Sequence, residues 1–423
     1  MPISEYLETT EGSVVSAAIP STLKHKNRQL VLDCFRDHQE HSVGDVVART
    51  GISKLTVMRA IQFFCGKGIL ASSGKGESTE QGGKKPEFFR FGYPKYLLTI
   101  MLWPKNLGLT LFDMQLQEIR RSSYAWIIPS SAQAAFAFVK ERAFGVMEQA
   151  GIECSDLYGV SLSSSGIVDY DNLILKFSVH SPEWGSDIPV GEYLKEIFGD
   201  IPCFFIENAG KSVSRAVVED LKLTSQRALV LFSSWGVSGA MVKDGKILNG
   251  RDSLIGEIGH MMLDPFDPEQ CICGSYGCIE RLVSPARLRK YISNEPPPES
   301  SPLAKLAPEA VGLHQLFFAS QQGDEYAKEY VAYLADCFAA LIRNVSLTFN
   351  PETVVFVGDY ALADENFDKQ MRRNFEQFHY LASSKPIEIL YDTHSLPDLD
   401  ARGGAVALLN NFFAQSKLYE DEE

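Results

Sequence analysis

At 423 residues, 45% hydrophobic and 22% charged, the chain has material for two or three folded domains and lacks the composition of a disordered protein. A formal net charge of −14 excludes the chain as a whole from being a simple polycationic nucleic-acid binder. The charge is uneven, however: Ser21–Lys95 holds thirteen Lys/Arg against seven Asp/Glu, a net +6, which leaves −20 for the rest.

Residues 1–23 read as an N-terminal extension. Glu5, Glu8 and Glu11 interrupt it, and it has no apolar run of the signal-peptide kind. The later apolar run Tyr96–Trp103 is too short to cross a bilayer and meets Pro104, so a cytoplasmic protein with no membrane partner is expected. Over 24–92 the pattern predicts three helices and a hairpin. The first helix runs through Arg28–Phe35. The second starts at Ser42, with Asp45 at capping-box spacing, and stops at Gly51. Ser53 caps the third, in which Val57, Ala60, Ile61 and Phe64 form one buried stripe.

The opposite face of that third helix offers Ser53, Lys54, Thr56, Arg59 and Gln62. A polar second helix after a tight glycine turn is the layout of a helix-turn-helix, whose N-terminal side chains meet base edges. A plain helical bundle would show the same periodicity. The next segment separates the two readings: apolar runs at Gly68–Ala71 and Phe88–Phe91 flank a Gly/Lys loop and predict a β-hairpin wing. Lys75, Lys84 and Lys85 are then placed to contact DNA phosphates.

Beyond residue 95 strands and helices alternate, an α/β layout. Strands are expected at 158–162, 203–206, 228–232 and 354–357, and helices at 132–149, 212–221 and 324–349. Residues 286–323, Pro/Ser-rich and then helical, have no assigned place. Glu420–Glu423 reads as the end of a solvated acidic tail over 416–423. Of eight cysteines, three crowd into Cys271-Ile-Cys273-Gly-Ser-Tyr-Gly-Cys278. With His260 they offer one imidazole and three thiolates, the donor set of a closed tetrahedral structural zinc site. Gly274 and Gly277 permit the turns. The alternative is three buried free thiols, which this density of cysteine argues against.

These motifs carry a family resemblance. TGISKLTVMRAIQFFCGKGIL with GGKKP resembles the winged helix that opens regulators of the ROK family (repressors, open reading frames, kinases). GEIGHMMLDPFDPEQCICGSYGCIERLVS is similar to the family hallmark at every hallmark position. The resemblance implies an α/β protein: an N-terminal winged helix-turn-helix, then a two-lobed actin-like, sugar-kinase (ribonuclease H-like) ATPase fold. Lobe 1 would span 95–208, and lobe 2 would span 209–415 with a zinc knot at 257–280. It carries Zn2+ ligation onto His260, Cys271, Cys273 and Cys278, and sugar contacts onto Asn208, Glu257, His260 and Glu280. The alternative, that Glu257 and Glu280 brace the knot, is the weaker of the two readings.

The resemblance also exposes departures. Ala209 stands where family kinases place the catalytic Asp. The stretch 98–110 lacks the Asp and paired Gly of the first phosphate loop. Ser234-Trp-Gly-Val-Ser-Gly-Ala240 and Gly358-Asp359 replace glycine-rich loops. The expectation drawn is a protein with no catalytic residues and no enzyme activity. It would be a carbohydrate-gene repressor binding operator DNA as a homodimer or homotetramer and answering a sugar or sugar phosphate. The rival expectations are an active sugar kinase, or a repressor controlled by a phosphotransferase-system protein.

Overall fold

The computed structural model describes residues 20–75, 85–178, 180–223, 227–378 and 385–421. The chain forms two compact units, residues 1–94 with 412–423, and residues 95–411.

The first unit is a winged helix. Helix α1 (Pro20–Asp33) leads to strand β1 (His41–Ser42), helices α2 (Val43–Thr50) and α3 (Lys54–Gly66), and the hairpin β2 (Leu70–Lys75) and β3 (Glu87–Phe91). The sheet order is β1-β3-β2. Local chemistry sets the boundaries. Ser42 and Asp45 exchange both bonds of a capping box, Gly51 ends α2 at φ +67°, and the Ser53 side chain accepts from the Thr56 N–H. Val57, Ala60, Ile61 and Phe64 are buried as one stripe. Residues 76–84, and Lys84 with them, lie outside the described residues.

Two expectations about this unit need correcting. Helix α1 begins at Pro20, so the assigned extension 1–23 ends inside a helix. The tail expected over 416–423 is anchored at Tyr419, while Glu420 and Asp421 beyond it are exposed. Tyr419 is 2% exposed, and its ring meets Phe64 edge-on with centroids 6.2 Å apart. The Arg28 guanidinium lies 3.4 Å over the Phe63 ring and donates to Tyr419 O and to Asp421. Lys24 also pairs with Asp421, whose carboxyl these bonds hold down at about 2. An aromatic anchor plus a pair of cations outweighs the solvation of an acidic end.

In the second unit, β4 (Tyr96–Trp103), β5 (Asn106–Asp113) and β6 (Glu118–Ala125) form a meander, followed by α4 (Ala132–Ala150), β7 (Leu157–Ser164), the small hairpin β8 (Ile167–Asp169) and β9 (Ile174–Phe177), α5 (Val190–Phe198) and β10 (Cys203–Asn208). Next come α6 (Ala209–Asp220), β11 (Arg227–Ser233), β12 (Val237–Lys243), β13 (Lys246–Ile247), α7 (Ile279–Leu282), α8 (Pro285–Asn294), α9 (Leu313–Gln321), α10 (Glu325–Ser346), β14 (Thr353–Gly358), α11 (Glu365–Glu376), β15 (Glu388–Asp392) and α12 (Leu396–Ala414). The two large sheets run β10-β7-β4-β5-β6 and β13-β12-β11-β14-β15. In each, a three-stranded antiparallel meander continues through its first strand into two parallel strands. This duplicated pattern is the sugar-kinase-like fold. The stretch 98–110 is a β-hairpin turning at Pro104-Lys105.

Residues 286–323 acquire a place: Leu288, Ile292, Leu313, Leu316 and Phe317 enter the second lobe's core with Phe338 and Phe356. Helix α12 does not belong to lobe 2 alone. A Cβ on Gly404 would lie 2.4 Å from Ser161 Oγ of β7, and one on Gly403 would lie 1.8 Å from Ser212 O of α6. Only glycine lets the helix backbone come this close to both elements. Just before the pair, Asp400 is 1% exposed; its Oδ2 accepts from Trp103 Nε1 (2.7 Å) and Ser163 Oγ (2.6 Å), while Oδ1 has no partner. Burial raises this carboxyl to about 6 against the three hydrogen-bonding neighbours.

Two outcomes are expected. Tyr419→Ala removes a buried aromatic and should destabilise the first unit by about 3 kcal/mol, read as faster amide exchange in α1 and α3. A carboxyl raised in the folded state stabilises fully below its unfolded value of about 4, and that contribution is lost as pH rises through about 6. Asp400→Asn, which copies the protonated form, should therefore remove that part of the pH dependence in thermal melts. Above pH 7 it should be at least as stable as the parent chain.

Candidate functional site

A cavity of about 420 Å3 in the second unit collects all four residues expected to touch a sugar. Asn208 ends β10 and caps α6: its Oδ1 accepts from Gly210 N (2.9 Å), and its Nδ2 donates to Gly166 O (2.8 Å). One lone pair and one amide hydrogen remain for a ligand. Glu280 sits in the first turn of α7 and accepts from Val237 N at 2.9 Å. Glu257 precedes the short 3-10 turn Ile258–His260. Burial raises its carboxyl, opposed by His260 and Lys211 and assisted by Glu280. Lys211, one turn into α6, is itself 4% exposed and bonds Asn249 Oδ1 (3.3 Å) and Ser253 O (3.2 Å); burial lowers its ammonium.

The rest of the cavity was not foreseen. Phe177, Trp235, Leu254 and Ile272 line it, each a large apolar side chain at least 41% exposed. They come from four separate loops or strand ends, so no periodicity marks them. The one available signal was a Trp in place of a small residue in the stretch 234–240. Trp235 packs edge-on against Trp103 with centroids 4.4 Å apart. Trp103 in turn joins Met101 and Ala209 in a small apolar cluster. The position read as the lost catalytic Asp is thus filled by packed hydrocarbon. A second cavity, of about 410 Å3, shares Trp235 and Glu280 and is bounded by Arg281, Arg289 and Asp359; burial raises Asp359 to about 6.

Next to the first cavity, one donor atom each from His260, Cys271, Cys273 and Cys278 lie within 4.8 Å of one another. The His260 Nδ1–Cys271 Sγ and Cys273 Sγ–Cys278 Sγ separations are both 3.6 Å. Sulfurs on a tetrahedral zinc with bonds of about 2.3 Å would stand about 3.8 Å apart, and a nitrogen–sulfur edge is slightly shorter. The cluster can therefore hold a metal ion. Gly277 makes the fold of the loop possible, since at φ +64° a Cβ there would lie 1.7 Å from Asp264 O. A metal on Nδ1 leaves the proton on Nε2 of His260, a residue that lines the cavity.

In the first unit, Lys54 and Arg59 are exposed on α3, and Lys75 and Lys85 on the wing strand and its flank. Ser53 and Thr56 are partly engaged in the helix cap, their hydroxyls 2.9 Å apart. Arg49 pairs with Asp37, which also bonds His41, and Lys24 and Arg28 pair with Asp421. Part of the positive charge counted in the sequence is thereby neutralised inside the unit.

Comparison with known proteins follows this architecture. Residues 128–411 match the ROK family. A glucokinase of Thermotoga maritima is 30% identical over 213 residues, 49% of this chain and 65% of that protein. The DNA-binding transcriptional dual regulator NagC of Escherichia coli K12 is 24% identical over 277 residues, 64% of this chain and 65% of that protein. The chain thus spans just under two thirds of the length of each. A solved ROK family transcriptional regulator, a homolog of the E. coli MLC protein, superposes with a TM-score of 0.76 at 17% identity, covering 94% of this chain and 100% of its own. Among the described residues no helix is long and apolar enough to cross a membrane.

The kinase matches correct one expectation. Ala209 and the altered loops suggested a protein without enzyme activity, yet a glucokinase is 30% identical to this chain over 213 residues, so those substitutions do not of themselves mark a non-enzyme. With two thirds of its length matched by the family and both lobes of its fold in place, the chain belongs to the ROK family.

Proposed function

We propose that the protein is a sequence-specific DNA-binding regulator, acting on carbohydrate genes, whose ROK domain takes up a sugar. The observation that carries this reading is the winged helix. Helix α3 turns Lys54, Arg59 and Gln62 outward from a buried stripe, and Lys75 and Lys85 extend along the hairpin beside it. Such a helix enters the major groove with its N-terminal half on base edges, while wing lysines meet phosphates. A homodimer on two half-sites gives the specificity a single short helix lacks. Asn208, Glu257, His260 and Glu280 supply amide, imidazole and carboxylate groups that suit adjacent sugar hydroxyls. The metal in the His/Cys cluster is zinc with a structural role. It would fix the His260 ring, so that loss of metal also loosens the cavity.

The second reading, an ATP-dependent sugar kinase carrying a DNA-binding head, is favoured by the glucokinase match. ATP turnover with glucose, N-acetylglucosamine and N-acetylmannosamine tests it directly.

For the regulator reading, fluorescence anisotropy with promoter DNA flanking the gene should show salt-dependent binding. Arg59→Ala should cost about 1–3 kcal/mol at the operator, whereas Lys85→Ala should weaken all sequences alike and lower the salt slope by about one. Absence of binding to any such DNA would end this reading. For the metal, elemental analysis should find about one zinc per chain. Cys278→Ser should lose it, with a lower melting temperature and weaker sugar binding.

A further inference from the structure

Asn208, Glu257, His260 and Glu280 gather around the ends of β10, α6 and α7; the same cavity exposes the large apolar side chains Phe177, Trp235, Leu254 and Ile272, with Ser165, Ser238 and His180 also in its lining. The apolar wall is anchored. Trp235 is backed edge-on by Trp103 at 4.4 Å. Trp103 is pinned through its Nε1–H to Asp400 (2.7 Å), and its carbonyl accepts from Trp126 Nε1 (2.8 Å). On another side the His180 ring stands 6.5 Å from Trp235, and burial lowers its pKa, which keeps it neutral near pH 7.

A free hexose presents hydroxyls around its whole rim. Seated on the carboxylates, it would turn its remaining hydroxyls toward four large apolar side chains that return no hydrogen bond, a desolvation cost without compensation. The volume points the same way, since about 420 Å3 falls within the range of pockets that bury drug-sized ligands, roughly 300–1,000 Å3. Charge narrows the choice further. Among the described lining residues two are carboxylates and none is Lys or Arg, so a phosphate or carboxylate on the ligand would meet the repulsion of Glu257 and Glu280, while the nearby cation, Lys211, already faces Glu257.

Resting on the sugar-binding reading, we propose that the ligand is a neutral glycoside with an apolar aglycone. The sugar ring lies on Asn208, Glu257, His260 and Glu280, and an aryl or alkyl group packs on Trp235, Phe177, Leu254 and Ile272. The face of an aromatic aglycone complements an indole wall by offset or edge-to-face contact.

Isothermal titration of the full-length, zinc-loaded protein tests this with four probes for each of glucose and N-acetylglucosamine: the free sugar, its 6-phosphate, and its methyl and phenyl glycosides in both anomers. Phenol alone serves as control. The phenyl glycoside of one sugar should bind at least about tenfold tighter than its methyl glycoside, the gain expected from burying roughly half a ring's apolar surface. Trp235→Ala should bring that ratio close to one, and the 6-phosphates should bind more weakly than the free sugars. Equal affinity for phenyl and methyl glycosides, or a 6-phosphate as the tightest ligand, would overturn the proposal while leaving sugar binding intact. Phenol binding as tightly as the phenyl glycoside would also overturn it. If no saccharide in the set binds, the proposal and the sugar-binding reading fall together.

Discussion

The second unit turns on the crossing of α12 between its two lobes. Gly403 and Gly404 let this helix touch the backbone of α6 on one side and β7 on the other, at distances no side chain would allow. The close approach draws Asp400 into a fully buried position, where its bonds to Trp103 and Ser163 tie the helix to the end of β4 and the end of β7. Ser212 of α6 adds a bond to the Asp400 carbonyl at 3.0 Å. One turn of helix thus secures a strand pair from the first lobe and a helix from the second. A carboxyl buried with one oxygen unpaired is costly as an anion, which is why its protonated form is favoured there.

The character of the cavity follows from this anchorage. Trp103, held by Asp400, braces Trp235, and Trp235 gives the cavity that holds Asn208, Glu257, His260 and Glu280 an aromatic surface. The same neighbourhood packs Ala209 against Met101 and Trp103. Next to the cavity, His260 belongs to a His/Cys cluster able to hold a metal ion, so the polar groups adjoin that cluster and the apolar ones a packed tryptophan pair.

Local chemistry was legible in the sequence. The caps at Ser42 and Ser53, the terminator Gly51 and the stripe Val57–Phe64 are decided by neighbours within a few residues, and the structure reproduces them. The cluster Cys271, Cys273 and Cys278 was legible because its ligands are dense in the chain. What escaped depends on distant partners. Arg28 meets Tyr419 across nearly four hundred residues, and Trp103 meets Asp400 across nearly three hundred. Neither pairing leaves a periodic trace. An acidic terminus reads as solvated until its aromatic anchor is seen to be buried. Likewise Phe177, Trp235, Leu254 and Ile272 are isolated apolar residues along the chain, and only the fold makes them one surface. The reading of Ala209 and the three altered loops as marks of a non-enzyme failed for a different reason: it inferred an activity's absence from missing side chains, and similarity to a glucokinase does not respect that inference.

The winged helix is built from both extremities of the polypeptide. Residues from the C-terminal segment complete the surroundings of Phe63, Phe64 and Arg28, and Phe91 of the wing meets Phe412 edge-on and Phe413 at a tilt. An excised N-terminal fragment would leave these rings facing solvent, so this unit cannot be cut out at one boundary; it would have to be spliced from two distant stretches of the chain.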